Sequence, residues 1–239
     1  MLKKLLLFLL GVLALGVLVL GYYGFVPGVS AIFGSNKARD LGAVSSSEAF
    51  KSYQAKTGTT FATLPATDSP EKSISFSGSV NTNVSLTAEE IVSIPTNAPW
   101  KYFPVMNPQM RFNPDGSTEL SGVIQTEKVA DYLRAHKLNS AAIDPYLSKL
   151  SALGTDVAVY AKGVSSWSNN QMTLETQAIE VGRYSIKRET IDKYNKQIET
   201  GIEILVSSVP NLSISSMSVR DGKLVARGTF PKTVSVAAE

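Results

Sequence analysis

Side chains that commonly perform chemistry are scarce in this sequence, which has no cysteine and one histidine, His136. The lack of cysteine excludes a disulfide framework, a thiolate metal site and a cysteine nucleophile. A single imidazole excludes a metal site that needs two, and it disfavours a histidine-based catalytic triad. His136 falls near the end of a predicted helix over 126–137, where we expect a surface histidine whose cationic form is favoured by the helix dipole.

The serine and carboxylate patterns do not supply an alternative active site. Ser69 to Lys72 matches Ser-x-x-Lys by letter, but Pro70 argues against the helix that would bring such a pair together. Glu89 and Glu90 are adjacent and face different ways on a helix, and one of them is explained by a capping box that begins at Thr87. We therefore predict that the protein is not an enzyme and has no catalytic residues, metal site or cofactor.

The N-terminal region has the pattern of a membrane anchor. Leu5 to Val26 form 22 consecutive positions without charge, and a helix of that length spans about 33 Å, close to the ~30 Å hydrocarbon thickness of a bilayer. Lys3 and Lys4 precede the run and favour a cytoplasmic N-terminus. We expect a cytoplasmic tip and single-pass transmembrane helix over 1–26, with the rest of the chain on the extracytoplasmic side of the cell membrane.

A cleaved signal peptide is the alternative interpretation of the same region. Pro27 breaks the helix, and Val29 to Ala31 offer small residues near a cleavage point, but the apolar run exceeds the ~7–15 residues usual for such peptides. Both interpretations place the remaining chain outside the cytoplasm. The net charge is +3; without Lys3 and Lys4 it is +1, which argues against a nucleic-acid partner.

The patterning beyond the anchor predicts three parts. Residues 27–71 are predicted to be a juxtamembrane spacer with a possible short helix over 46–56, and residues 72–239 an α+β domain. Ile74 to Leu86 alternate apolar and polar residues, which indicates a strand with one buried face. Three further strand pairs are joined by turn sequences at 113–116, 168–170 and 220–223. Helices are predicted after Thr87, stopping before Pro95, and over 126–137, 144–154 and 187–209.

These elements define a curved, mostly antiparallel sheet of about seven strands, because long strands curl. The helix over 187–209 carries an apolar stripe and is the expected cover for the apolar face of the sheet. We therefore expect the domain to consist of this sheet packed on a long C-terminal helix.

The layout resembles that of a known group of proteins. The features that carry the resemblance are the Thr-Ala-Glu-Glu helix start at 87–90, the Asn-Pro-Asp-Gly hairpin at 113–116 and the closing sequence from Leu212 to Pro231. Over residues 73–236 the chain resembles small bacterial membrane-anchored proteins of uncharacterised families, which are similar to a half-module of the tubular lipid-binding (TULIP) superfamily. The resemblance implies a curved antiparallel sheet around a long helix, acyl chains held in the groove, and no catalytic residues to transfer.

Two functions follow as alternatives. In the first, sheet and helix do not close fully, and the module binds a lipid or another amphipathic ligand in the groove between them; each buried methylene contributes about 0.8 kcal/mol. In the second, the core is closed and the chain is a structural or protein-interaction domain of the cell envelope. The candidate groove residues are Phe76, Val80, Leu120, Met172, Ile191, Tyr194, Ile198 and Ile202.

Overall fold

The computed structural model describes residues 2–138 and 156–238, and all of their side chains except those of 2–10 and 27. The helices in these ranges are α1 (Leu2–Tyr23), α2 (Pro27–Phe33), α3 (Ser47–Thr57), α4 (Ala88–Asn97), α5 (Thr126–Ala135) and α6 (Arg188–Ser207). The strands are β1 (Thr60–Leu64), β2 (Ile74–Leu86), β3 (Val105–Phe112), β4 (Ser117–Ile124), β5 (Val157–Ser168), β6 (Gln171–Val181), β7 (Tyr184–Ser185), β8 (Ser213–Arg220) and β9 (Lys223–Ala237). The α+β class is confirmed, and the helix predicted over 144–154 lies outside the described residues.

The strands form one mixed sheet. β9 pairs with β2 along one side and with β8 and β1 along the other. β5 pairs with β6 along one side and with β4 and β8 along the other, while β3 extends the sheet beyond β4. Among the described pairings, that of β1 with β9 is the parallel one. β1 and β7 bring the described strands to nine, where the sequence predicted about seven.

The predicted hairpin turns are confirmed by their backbone conformation. Asn169 and Asn170 have φ of 50° and 64°, and Asp221 and Gly222 have φ of 51° and 69°. Positive φ at both central residues is the geometry of a two-residue turn whose twist matches that of the strands. The 113–116 turn closes with a 3.0 Å hydrogen bond from the last residue to the first.

The period of two in β2 is also confirmed. Thr82, Val84 and Leu86 are buried, whereas the residues between them are exposed. Gly78 takes φ of 62° inside the strand, a conformation that glycine adopts without steric cost. β8 contains a bulge, seen as a shift of its register against β9 between Ile214 and Ser216.

Two helix termini differ from the prediction. α4 continues through Pro95, although a helix stop was expected before it. Proline removes one backbone donor, but Pro95 lies in the last turn, and the amide of Ala98 still bonds Ile94 O at 2.8 Å. α5 begins at Thr126 as predicted, but it ends at Ala135, two residues before the predicted end at 137.

The segment predicted as a spacer, 27–71, makes extensive contacts with the sheet. The Arg39 amide donates to Ser121 Oγ at 2.7 Å. Leu41 and Ala43 are each only 4% exposed. α3 then packs on α4, and β1 pairs with β9. The structure therefore places part of this segment within the folded unit.

The long helix is not C-terminal, which corrects the prediction, and it lies along an edge of the sheet rather than across the whole apolar face. α6 is followed by β8 and β9, and its main contacts are with β6. Polar side chains on one side of α6 bond the backbone of β6 at every second residue, an arrangement we call the edge ladder. Its bonds join Thr176 N and Leu174 O to Asn195, Leu174 N to Glu199, and Met172 N to Glu203.

The edge ladder works because two repeat distances nearly coincide. Four residues of α-helix rise about 6.0 Å, and two residues of strand rise about 6.6 Å. Side chains at 195, 199 and 203 therefore meet successive outward-facing backbone groups of β6. The adjacent apolar side of α6 reaches over the sheet, where Ile202 and Val206 pack on a cluster that contains Trp167.

One face of the sheet is apolar over both β4 and β5. Register pairs Leu120 with Ala161 and Gly122 with Val159, so these four residues project to the same side. Trp167, further along β5 at the same parity, shares that side. α4 covers one part of this face and α6 another, and the part between them is the candidate site.

Candidate functional site

An apolar groove of about 380 Å³ lies on this face of the sheet. Its floor is formed by side chains of three neighbouring strands, and its wall by α4 and the loop that follows it. Floor residues include Val105, Met110, Leu120, Gly122, Val159 and Ala161; wall residues include Ile91, Pro95 and Phe103. Leu120 in the floor is 44% exposed, which shows that the groove is open to solvent.

The floor of the groove is not level. Gly122 leaves room for Val105, because a Cβ atom added at Gly122 would lie 2.5 Å from Val105 Cγ1. Ala161 stands beside Leu120 on the neighbouring strand and has a much shorter side chain. The floor is therefore lower at Ala161 than at Leu120.

Polar side chains at the groove bond elsewhere. Gln109 and Ser121 are the two lining residues with polar side chains, and both belong to the opposite face of the sheet. Gln109 Oε1 accepts from the Leu41 amide at 3.3 Å. Ser121 Oγ accepts from the Arg39 amide and donates to Val159 O at 2.9 Å. No charged side chain lines the groove among the described residues, so it suits hydrocarbon.

A buried carboxylate fixes the wall helix. Glu90 closes a capping box with Thr87 and is 4% exposed. It also accepts from Ser52 Oγ at 2.5 Å and pairs with Lys56 Nζ at 2.6 Å, both on α3. Burial raises the pKa of Glu90, but the bonds from Lys56, Ser52 and the Thr87 amide outweigh it and lower the pKa below its ordinary value. The ionised carboxylate thus joins α3 to α4 beside the groove.

The groove ends close to the C-terminal end of α1. Val159 in its floor pairs with Val181, and the next residue, Gly182, donates to Ala158 O at 2.7 Å. A Cβ atom added at Gly182 would lie 1.9 Å from Tyr23 O, so the two backbones are in contact. The C-terminal end of α1 therefore contacts the strand next to the groove floor, and among the described residues the groove lining itself contains none from α1.

The eight predicted groove residues lie in several parts of the fold. Leu120 lines the apolar groove, and Met172 and Ile202 share the cluster around Trp167. Phe76 lies near His136, and Val80 packs against Gly58. On α6, Ile191 is buried, Ile198 is half-buried and Tyr194 is 42% exposed.

Most of the groove floor was not predicted from the sequence. Val159 and Ala161 were assigned to a strand, but neither was taken as a site residue. The available signal was the alternation of β5, which places Val159 and Ala161 on one face of the strand. The wall was missed because it depends on how α4 docks.

His136 is half-buried in an aromatic cluster, which corrects the expected surface position. Its ring centroid lies 4.8 Å from that of Tyr132, 5.8 Å from Trp100 and 6.4 Å from Phe76. Burial lowers its pKa below the ordinary value, so the neutral ring is favoured.

His136 also contacts a serine, but the pair lacks the geometry of a catalytic dyad. Nδ1 lies 3.1 Å from Ser208 Oγ. The Ser208 hydroxyl donates to Leu205 O at 2.7 Å, so its proton is engaged there and the imidazole donates to Oγ. A histidine that activates a serine must instead accept that proton. In residues 2–138 and 156–238, no three His, Asp or Glu side chains come together as a metal site.

Two other cavities of similar volume are more polar. One, of about 380 Å³, adjoins His136, and its lining includes Glu71, Lys72 and Lys137. The other, of about 440 Å³, has a lining that includes Lys37, Asp40 and Asp156. Side chains of both signs at these sites select no single ligand chemistry, whereas the apolar groove does.

Comparison with protein families, with curated proteins and with solved structures found no match to this chain. Among the residues with described side chains, none of the helices combines the length and the hydropathy needed to cross a membrane. The membrane anchor over Leu5 to Val26 and the TULIP resemblance stay predictions.

Proposed function

We propose that the chain is a membrane-anchored extracytoplasmic module that holds the hydrocarbon chain of a lipid in the apolar groove and catalyses no reaction. The observation that carries the proposal is the lining, in which the two polar side chains are bonded away from the groove. The volume of about 380 Å³ lies within the range of about 300–1,000 Å³ typical of small-molecule sites.

The energetics favour an extended hydrocarbon. Burial contributes about 0.8 kcal/mol per methylene, so a dozen carbons gain about 10 kcal/mol, part of which offsets the entropy lost on association. Charged ligands gain no partner in this lining and would lose their hydration. The position beside α1 supports a ligand that comes from the bilayer in which the N-terminal apolar run is anchored.

Photo-crosslinking tests the proposal directly. The full chain is reconstituted in nanodiscs that contain a phosphatidylcholine with a diazirine on its acyl chain, and adducts are mapped by mass spectrometry. We expect adducts on peptides that contain Leu120 and Ala161. Leu120→Asp should reduce them at least about 10-fold, because a carboxylate buried with the ligand costs more than the 1.4 kcal/mol that a factor of ten represents.

Ile204→Asp is the matched control, because Ile204 is 49% exposed on α6, outside the groove lining, and Leu120 is 44% exposed. The control should keep the adducts of the unmodified chain. Groove peptides without adducts, or equal yields from Leu120→Asp and the unmodified chain, would overturn the lipid-binding function. An intact fold with that result would favour the alternative, a structural or protein-interaction domain of the cell envelope.

A further inference from the structure

Four aromatic side chains and two neighbouring residues surround the C-terminal end of α1, and we call this group the collar: Tyr22, Tyr23, Ile32, Phe33, Arg183 and Tyr184. Edge-to-face contacts link its rings, with centroid distances of 5.5 Å for Tyr22–Tyr23, 5.7 Å for Tyr22–Phe33 and 6.0 Å for Tyr23–Tyr184. The collar therefore joins α1, α2 and the β6–β7 hairpin in one contact.

The collar is held by the backbone as well as by rings. The Arg183 amide donates to Tyr23 O at 3.1 Å, and its guanidinium donates to Phe33 O and lies 4.8 Å from the Tyr22 ring centroid. α2 folds back tightly on α1, since a Cβ atom added at Gly21 would lie 2.2 Å from Val29 Cγ1. The end of α1 is thus fixed to the sheet by specific contacts.

The outer surface of the collar is apolar and exposed. Ile32 is 81% exposed, Tyr22 45% and Tyr184 43%. Two exposed cations, Arg183 of the collar and Lys37 beside it, line a shared cavity. Tyrosine rings with an apolar body and a polar tip, flanked by cations, match the chemistry of the lipid–water interface, where headgroup phosphates meet the acyl chains.

We infer that the collar is a bilayer-contact surface that seats the folded domain on the lipid headgroups. The inference rests on the proposed function, because it takes the apolar run of α1 as the anchor. It adds an orientation: Gly182 contacts Tyr23 in the collar and follows Val181, the partner of Val159 in the groove floor. Seating the collar on the membrane places that end of the groove at the bilayer surface, where an acyl chain can enter it.

Depth-dependent fluorescence quenching tests the inference in the full chain. Because the sequence has no cysteine, Ile32→Cys and Tyr184→Cys each provide one labelling site for a nitrobenzoxadiazole probe. Val44→Cys is the control, since Val44 is 71% exposed and its neighbour Ala43 packs on Phe112. Phe112 pairs with Thr118, which in turn pairs with Gly163 on β5. Gly163 is five residues along β5 from Ala158, the residue that bonds Gly182 beside the collar. The Phe112 position therefore lies about 17 Å from the collar along the strands.

The labelled chains are reconstituted in nanodiscs of phosphatidylcholine and phosphatidylglycerol that contain brominated acyl chains. We expect bromine to quench the probe at 32 and 184 at least three times as strongly as the probe at 44. Equal quenching at all three sites, with groove crosslinks still present, would overturn the collar inference alone. A chain that does not co-purify with nanodiscs would overturn the anchor, and the inference with it.

Discussion

Removal of one side chain from the edge ladder tests how α6 is attached. Asn195 Oδ1 accepts from Thr176 N at 3.1 Å, and Asn195 Nδ2 donates to Leu174 O at 2.7 Å. A hydrogen bond contributes about 0.5–1.5 kcal/mol net, so the two together give about 1–3 kcal/mol. Alanine recovers a few tenths of a kcal/mol through its helix propensity. We expect Asn195→Ala to lower the free energy of unfolding by about 2 kcal/mol.

Urea titration followed by tryptophan fluorescence measures this loss of unfolding free energy, and Trp167, which packs on α6, contributes to the signal. Gln197→Ala is the matched control, because Gln197 is an exposed amide on the same helix and makes no bond to β6. Hydrogen exchange adds a local readout: the Thr176 amide should lose protection in Asn195→Ala, whereas the Leu174 amide keeps its bond to Glu199. If the two variants were equally stable and the Thr176 amide stayed protected, the edge ladder would not stabilise the packing of α6 on β6.

Three further changes probe other contacts. Since burial lowers the pKa of His136 from its ordinary 6.5, the unfolded chain binds a proton first, so the free energy of unfolding should fall as pH drops below about 6.5 and this slope should vanish in His136→Gln. Thr176→Val removes a buried hydroxyl without a hydrogen-bond partner and should raise the free energy of unfolding by about 1 kcal/mol in urea titration; a loss of stability would contradict this. Gly182→Ala forces a Cβ against Tyr23 O, so hydrogen exchange of the Arg183 amide should accelerate at least 10-fold, and unchanged protection would show that α1 is not held there.

The sequence contains the local determinants of this fold but not its long-range pairings. The Asn169–Asn170 turn and the alternation in β2 depend on neighbouring residues, and both were predicted correctly. β1 was not predicted, because its five residues form a strand only through parallel pairing with β9, which lies far along the chain. The polar stripe that attaches α6 was not recognised, because polar residues on a helix ordinarily face solvent. Their partner, the free backbone edge of β6, is a feature of the tertiary structure.

The candidate site was predictable only in part, for a similar reason. Leu120 was found because a large apolar residue on an alternating strand marks a face. Ala161 was missed because the low part of the floor is made by a small side chain, and small residues contribute little to a hydrophobic pattern. Which part of the apolar face stays uncovered depends on the docking of α4 and α6, and that is a property of the tertiary structure.

The position of β9 in the sheet has a consequence for how the molecule is made. β9 follows all of its partners in chain order, and Thr60 bonds Thr233 across a separation of 173 residues. During synthesis, β1 and β2 therefore stay unpaired until β9 has been made, and their apolar side chains stay exposed to water. Such high contact order slows folding, typically to milliseconds or seconds, so we expect newly synthesised chains to depend on a chaperone until β9 has been made.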